Sequence, residues 1–300
     1  MEEEPKNIFK KRKEREKIRY STLYFIRHDI ALQNVVQREP DAEKRAVLLQ
    51  EVPPAGDAPL VYPQGSPDLH KQSKRMAEKI QHVLKSELDI FCSTLQRSID
   101  TVPFYIEKFN QVHPAEEWIT VKDVIQSPLL NEQGLGLGDP FWEKDSRFAN
   151  LPEIARRRLK VFGFSELAYG SREYDRVLRR SDFTREQLEA ARALGLNERQ
   201  IYGDSINDMW RDWITFLQTY ESKIFAQGHV SLVFSHANKI KIALAASRKP
   251  DAYIEDVPNL IHLSLGGKQI WNNSIFELKG IACGNVGHLS LQNHYRSDDQ

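Results

Sequence analysis

The chain has 300 residues, with 40% hydrophobic and 28% charged side chains, the usage of an ordinary folded protein. Forty-two basic side chains balance 42 acidic ones, so bulk charge gives no reason to expect a nucleic-acid partner. No apolar run reaches the length of a membrane span, and two cysteines cannot build a disulfide framework or a four-cysteine zinc site. The amino-terminal stretch has no apolar core of a secretory signal, which points to a reduced, cytoplasmic setting.

Residues 2–19 hold eight basic and five acidic side chains. Residues 1–20 therefore read as a charged arm outside the fold. Its Lys10 to Lys13 run would be a nuclear address if it is more than a solubilising patch. Ser21 to Ile26 is a β-forming run that ends in the polar residues Arg27, His28 and Asp29. Residues 35–66 carry Pro53, Pro54, Pro59 and Pro63 and read as loop. Ser66-Pro67 is a helix start, with an apolar stripe of Leu69, Met76, Ile80, Val83 and Leu84.

Asp89 to Cys92 is a second strand, leading into Ser93 to Arg97 and a helix over 96–109. Trp118 to Val121 is predicted as a third strand. Leu129 to Glu132 opens a glycine-rich loop, whose Gly134-to-Gly138 spacing does not fit a dinucleotide fingerprint and suggests a flexible rim. Residues 139–200 form a helical insertion with 13 basic residues, 11 of them Arg, against 11 acidic ones. Most of it is expected to be solvated surface, with Arg156 to Arg158 or Arg179-Arg180 as candidate readers of a second anion. Thr184 and Gln187 fit a capping box, and Gly195 fits the residue after a helix end. Ser205 caps a helix with Ile206, Met209, Trp210, Trp213, Leu217 and Tyr220 on one stripe. Val230 to Phe234 is the fourth strand, ending in Ser235-His236-Ala237, with a helix over 239–247. Ser274 to Leu278 is the last predicted strand, and 285–300 is assigned as a tail.

Strands alternating with helices predict a three-layer α/β/α sandwich with a mostly parallel sheet, its domain spanning 21–284. Sites in such sheets form at the carboxyl ends of strands, where His28, Arg97 and His236 all fall. Arg27 and Arg97 are permanent cations with a fork that suits phosphate oxygens. The two imidazoles are adjustable near neutral pH, and Glu132 is a carboxylic acid. Together they make a set capable of phosphoryl transfer, with the positive charge supplied by side chains and no metal or other cofactor required.

The ordered set Arg27-His28 with Asn34, Ser93-Thr94-Leu95-Gln96-Arg97 with Thr101, Leu130-Asn131-Glu132, Gly203-Asp204-Ser205 with Asp208, Ser235-His236-Ala237-Asn238 and Asn273-Ser274 resembles the histidine phosphatase superfamily, also called phosphoglycerate mutase-like. The resemblance spans about residues 21–280. It implies His28 as the phosphorylated nucleophile and Arg27, Arg97 and His236 around the phosphate. It also implies Asn34 on a phosphoryl oxygen or the substrate, and Glu132 as the proton donor. The implied activity is hydrolysis of a phosphomonoester, on a small molecule or a phosphoprotein. A phosphoglycerate-type mutase and a phosphate-binding pseudophosphatase are the alternatives. The family's glycine after each histidine is replaced, by Asp29 and by Ala237. A carboxylate at Asp29 that faced a phosphate at about 4 Å would oppose it by about 4 kcal/mol at an effective dielectric near 20.

Overall fold

The computed structural model describes residues 20–53, 57–157, 176–248, 270–283 and 286–295. The charged arm with Lys10 to Lys13, and residues 158–175 of the insertion, lie outside them.

The sheet has six strands: β1 (Ser21–Arg27), β2 (Leu88–Cys92), β3 (Val124–Gln126), β4 (Val230–Ser235), β5 (Ile275–Cys283) and β6 (Val286–Tyr295). Their order across the sheet is β3-β2-β4-β1-β5-β6. The first four are mutually parallel; β5 runs antiparallel to β1 and to β6. Strands β1, β2 and β4 are buried along their whole length, as continuous apolar runs in a parallel sheet should be.

Alternate residues of each strand pack opposite helical layers. Leu23, Phe25, Phe91 and Val233 face a layer containing Trp213 and Phe216, and the Phe25 and Trp213 rings lie 5.3 Å apart. Tyr24, Ile26, Ile90 and Phe234 face Leu69, Met76, Val102 and Tyr105. The helices of the second layer are α3 (Pro67–Lys79) and α4 (Gln96–Val112). Those of the first are α7 (Ile206–Thr219) and α8 (Ala237–Arg248). The expected caps form: Ser66 Oγ accepts from the Leu69 N–H, Thr184 Oγ1 from Gln187, and Ser205 Oγ from Asp208. The insertion has its own small core, with Phe148, Leu151, Leu178, Leu188 and Ala191. Around it are α5 (Arg185–Ala193), which ends at Gly195 with φ 72°, and α6 (Glu198–Tyr202).

Four expectations are corrected. Residues 35–66 are not all loop: α1 (Leu32–Arg38) and α2 (Ala42–Glu51) lie there, and Asp41 caps α2 by accepting from the Glu43 and Lys44 N–H groups. The strand expected at 118–121 falls at 124–126 instead. Thr120 and Asp123 bond reciprocally around a 3₁₀ turn (Val121–Asp123) that interrupts the extended chain. The segment after 285 is no tail through residue 295, because β6 pairs with β5. The rim loop is fastened: Gly134 N–H donates to Asp204 Oδ2 at 2.7 Å, and Gly136 has φ 59°. A Cβ on Gly136 would lie 2.4 Å from the Gly203 nitrogen, so glycine is required by the close approach of two backbones.

Candidate active site

Strand register brings the two histidines together. Arg27 of β1 pairs with Ser235 of β4, so the next residues, His28 and His236, leave adjacent strands at the same level. The His28 N–H donates to the Ser235 carbonyl at 3.2 Å. The ring centroids are 4.9 Å apart. Strand β2 ends one position away, and Ser93 N–H donates to the Phe234 carbonyl at 3.0 Å. The turn after β2 starts α4, whose first turn delivers Arg97.

Arg97 Nε–H is shared between His28 Nε2 and His236 Nδ1, at 3.2 Å each. Both nitrogens must accept this proton, which fixes two tautomers. His28 Nδ1 lies 2.5 Å from the Asp29 carbonyl oxygen; a carbonyl only accepts, so Nδ1 carries the hydrogen and Nε2 the lone pair. His236 is the reverse, with Nε2 donating to Ser93 Oγ at 2.7 Å. His28, His236 and Arg97 are buried, and burial is the main cause that lowers the pKa of both imidazoles well below the usual value. The neighbouring Arg97 and Arg27 guanidinium groups, and for His236 also His28 and Lys239, act in the same direction. Both rings are therefore neutral near pH 7.

Arg27 is buried too, and its Nη1 donates to the Ile270 carbonyl. Asn34 Oδ1 accepts from Ala31 N–H at 3.1 Å and from Asn272 Nδ2 at 3.3 Å, which leaves its NH₂ to offer a ligand. Glu132 Oε1 accepts from the backbone N–H of Gln133 at 3.0 Å and of Asn238 at 3.2 Å. The second contact sets the carboxylate at the start of α8, two residues past His236.

These residues open on a cleft of about 780 Å³. Arg27, His28, Asn34, Arg97 and Glu132 all line it. His236 does not line it, and its Nδ1 accepts from the Arg97 Nε–H. The outer wall contains Leu95, Leu129, Leu135, Phe141, Trp142 and Leu196. Trp142 thus has two roles, packing on Phe148 at 5.4 Å and lining the cleft. Arg199, also in the wall, is held by Asp204 at 2.5 Å and Asp212 at 2.8 Å. Arg156 pairs with Glu143 and Glu153 rather than with the cleft.

Two functional candidates escaped the sequence. Asp139 is a further acid in the cleft, beside the Arg199-paired Asp204 and Asp212, and burial raises its pKa against the opposing effects of the Phe141 N–H and Arg97. Its helix-capping position before Pro140 gave no sign of this. Asn272 donates to the carbonyls of His28 and Asp29 at 3.0 Å each. The Asn272-Asn273 pair was the available signal, since asparagine tolerates left-handed backbone and Asn273 has φ 59°.

Asp29 does not face the cleft. Its carboxylate is fully buried, accepting from the Ser66 N–H at 2.9 Å, the Ser66 hydroxyl at 2.7 Å and Asn273 Nδ2 at 2.7 Å. Neither Asp29 nor Ala237 has positive φ, so glycine is not required at either place by the backbone.

No protein-family model matches the chain, and no curated protein matches it by sequence. Solved structures do. A mycobacterial glucosyl-3-phosphoglycerate phosphatase is 16% identical over 90% of this chain and 96% of its own, with a TM-score of 0.50. A phosphoglycerate mutase from Bacillus anthracis is 14% identical over 91% and 92%, at 0.49. A phosphoserine phosphatase from Entamoeba histolytica is 14% identical over 93% and 98%, at 0.44. At these identities the likeness is one of fold.

Proposed function

We propose that this chain, which has the phosphoglycerate mutase-like fold of the histidine phosphatase superfamily, hydrolyses phosphomonoesters through a phosphohistidine at His28. The observation that carries the reading is the shared Arg97 Nε–H. It holds two neutral imidazoles around one point and makes Nε2, rather than Nδ1, the His28 nitrogen that bears the lone pair.

A phosphate in the cleft has its oxygens among Arg27, Arg97 and the Asn34 amide. The Arg97 Nε–H turns from His28 Nε2 to a phosphoryl oxygen, the freed Nε2 lone pair attacks phosphorus, the P–O ester bond breaks, and its electron pair goes to the leaving oxygen. Glu132 gives that oxygen a proton. Water then attacks the phosphohistidine, Glu132 takes the water proton, and the P–N bond breaks to return His28 and inorganic phosphate. The Asp29 carboxylate, tied to Ser66 and Asn273, puts no charge at the phosphate, which argues against a pseudophosphatase. Free phosphate release from p-nitrophenyl phosphate tests the activity, and His28→Ala should reduce it by more than about 10³-fold, the scale of losing an essential nucleophile. A His28→Ala protein that keeps wild-type turnover rules out the mechanism.

A further inference from the structure

We infer that Asp29, which stands where the family's motif has glycine, is a positioning residue that holds the nucleophile's tautomer by anchoring the carbonyl to which His28 bonds. The inference rests on His28 being the nucleophile.

Asp29 is tied down at three groups of its own. Its N–H donates to Thr101 Oγ1 at 3.1 Å, and that hydroxyl donates to the Arg97 carbonyl at 2.7 Å. Its carbonyl oxygen accepts from His28 Nδ1 and from Asn272 Nδ2. Its carboxylate accepts from Ser66, the cap of α3, and from Asn273, in the turn before β5. One residue therefore joins the end of β1 to α3, to α4 and to the strand on the other side of β1. The two catalytic partners, the His28 ring and the Arg97 backbone, are both bonded to this residue's own peptide groups or to their direct partner.

The carbonyl matters because it decides which ring nitrogen is the nucleophile. A carbonyl that rotates away frees Nδ1, and the hydrogen can then move to Nε2, the nitrogen that must attack. In a glycine version of the motif the peptide must be held by neighbours alone. Here the buried carboxylate, with three donors, fixes the residue at its side chain as well.

The expected result is that restoring the family's residue damages this protein. Asp29→Gly should lower kcat by about 10- to 100-fold, the range seen when a partner that orients a functional histidine is lost. KM should stay within about twofold, because the phosphate contacts are untouched. Nitrogen-15 NMR of the unliganded protein should show His28 as the Nδ1–H tautomer in wild type and as a mixture in Asp29→Gly. Asp29→Asn, which keeps one acceptor oxygen for Asn273 or Ser66, should recover part of kcat and most of the Nδ1–H signal. It also serves if Asp29→Gly fails to fold. Wild-type or higher kcat in a folded Asp29→Gly, or an unchanged tautomer in both variants, overturns the inference. The NMR readout needs no turnover, so absence of any phosphatase activity would reject the proposed function and leave this test intact.

Discussion

The floor of the cleft hangs from three strand ends, whereas its outer wall comes from loops and from the helical segment after Glu132. On the floor, every side chain is buried and bonded to a neighbouring strand or its turn: His28 to Asp29, Arg97 to both imidazoles, and His236 to Ser93. On the wall, Arg199 is 43% exposed at its side chain and Phe141, Trp142 and Leu196 are half-buried. Parallel strands in register fix positions to within a hydrogen bond, so the floor suits chemistry that needs one geometry. Loops tolerate change, so the wall suits choice of leaving group.

The sharpest way to break the comparison is at Arg97. Lysine keeps the charge but lacks the planar Nε–H that both imidazoles share. If the floor is preorganised, Arg97→Lys should lower kcat by about 10²- to 10³-fold, as loss of one aimed donor does. A steady-state assay that finds less than a twofold change would mean that charge alone suffices and that the shared hydrogen bond has no catalytic role.

The same contrast governs what could be read from the sequence. The floor was legible because buried parallel strands are short apolar runs that stop abruptly at polar residues, as at Ile26 to His28 and Phe234 to His236. Asp29's orientation was not, since its carboxylate partners are 37 and 244 positions away. Helix α2 escaped because its apolar signal is slight: Leu49 is its buried hydrophobic residue, beside Val52 just past its end. Strand β6 escaped for a related reason. It lies at the sheet edge, with Leu289 buried and polar residues between its apolar ones, so it lacks the continuous run of a central strand. Glu277, buried in β5 between Lys79 at 3.2 Å and Lys279 at 3.4 Å, shows how far tertiary partners override a polar signal.

A second test uses pH. The folded state lowers the pKa of His28 and His236, mainly by burial, while the unfolded chain titrates near 6.5. Below that pH the unfolded chain binds two protons that the folded one refuses. Stability is therefore full well above about pH 6.5 and falls as the pH drops through it, toward a limiting slope of about 2.7 kcal/mol per pH unit while both folded rings stay neutral. Urea midpoints between pH 7.5 and 5 measure it. His28→Asn combined with His236→Asn should flatten this dependence; an unchanged slope would mean that other groups carry it and that the floor does not hold its imidazoles neutral.

The smallest effect belongs to the wall. Trp142 lines the cleft and packs on Phe148, so an aryl leaving group can rest on it while a methyl group cannot. A ring contact of this kind is worth about 0.5–1.5 kcal/mol, or about 2- to 12-fold in rate. Trp142→Ala should therefore reduce kcat/KM for naphthyl phosphate by that factor and leave methyl phosphate nearly unchanged. Equal losses for both esters would show that Trp142 acts through the insertion's core, and that wall and floor are not separable. A loss confined to the aryl ester would place leaving-group choice in the loops, with phosphoryl transfer left to the strand ends.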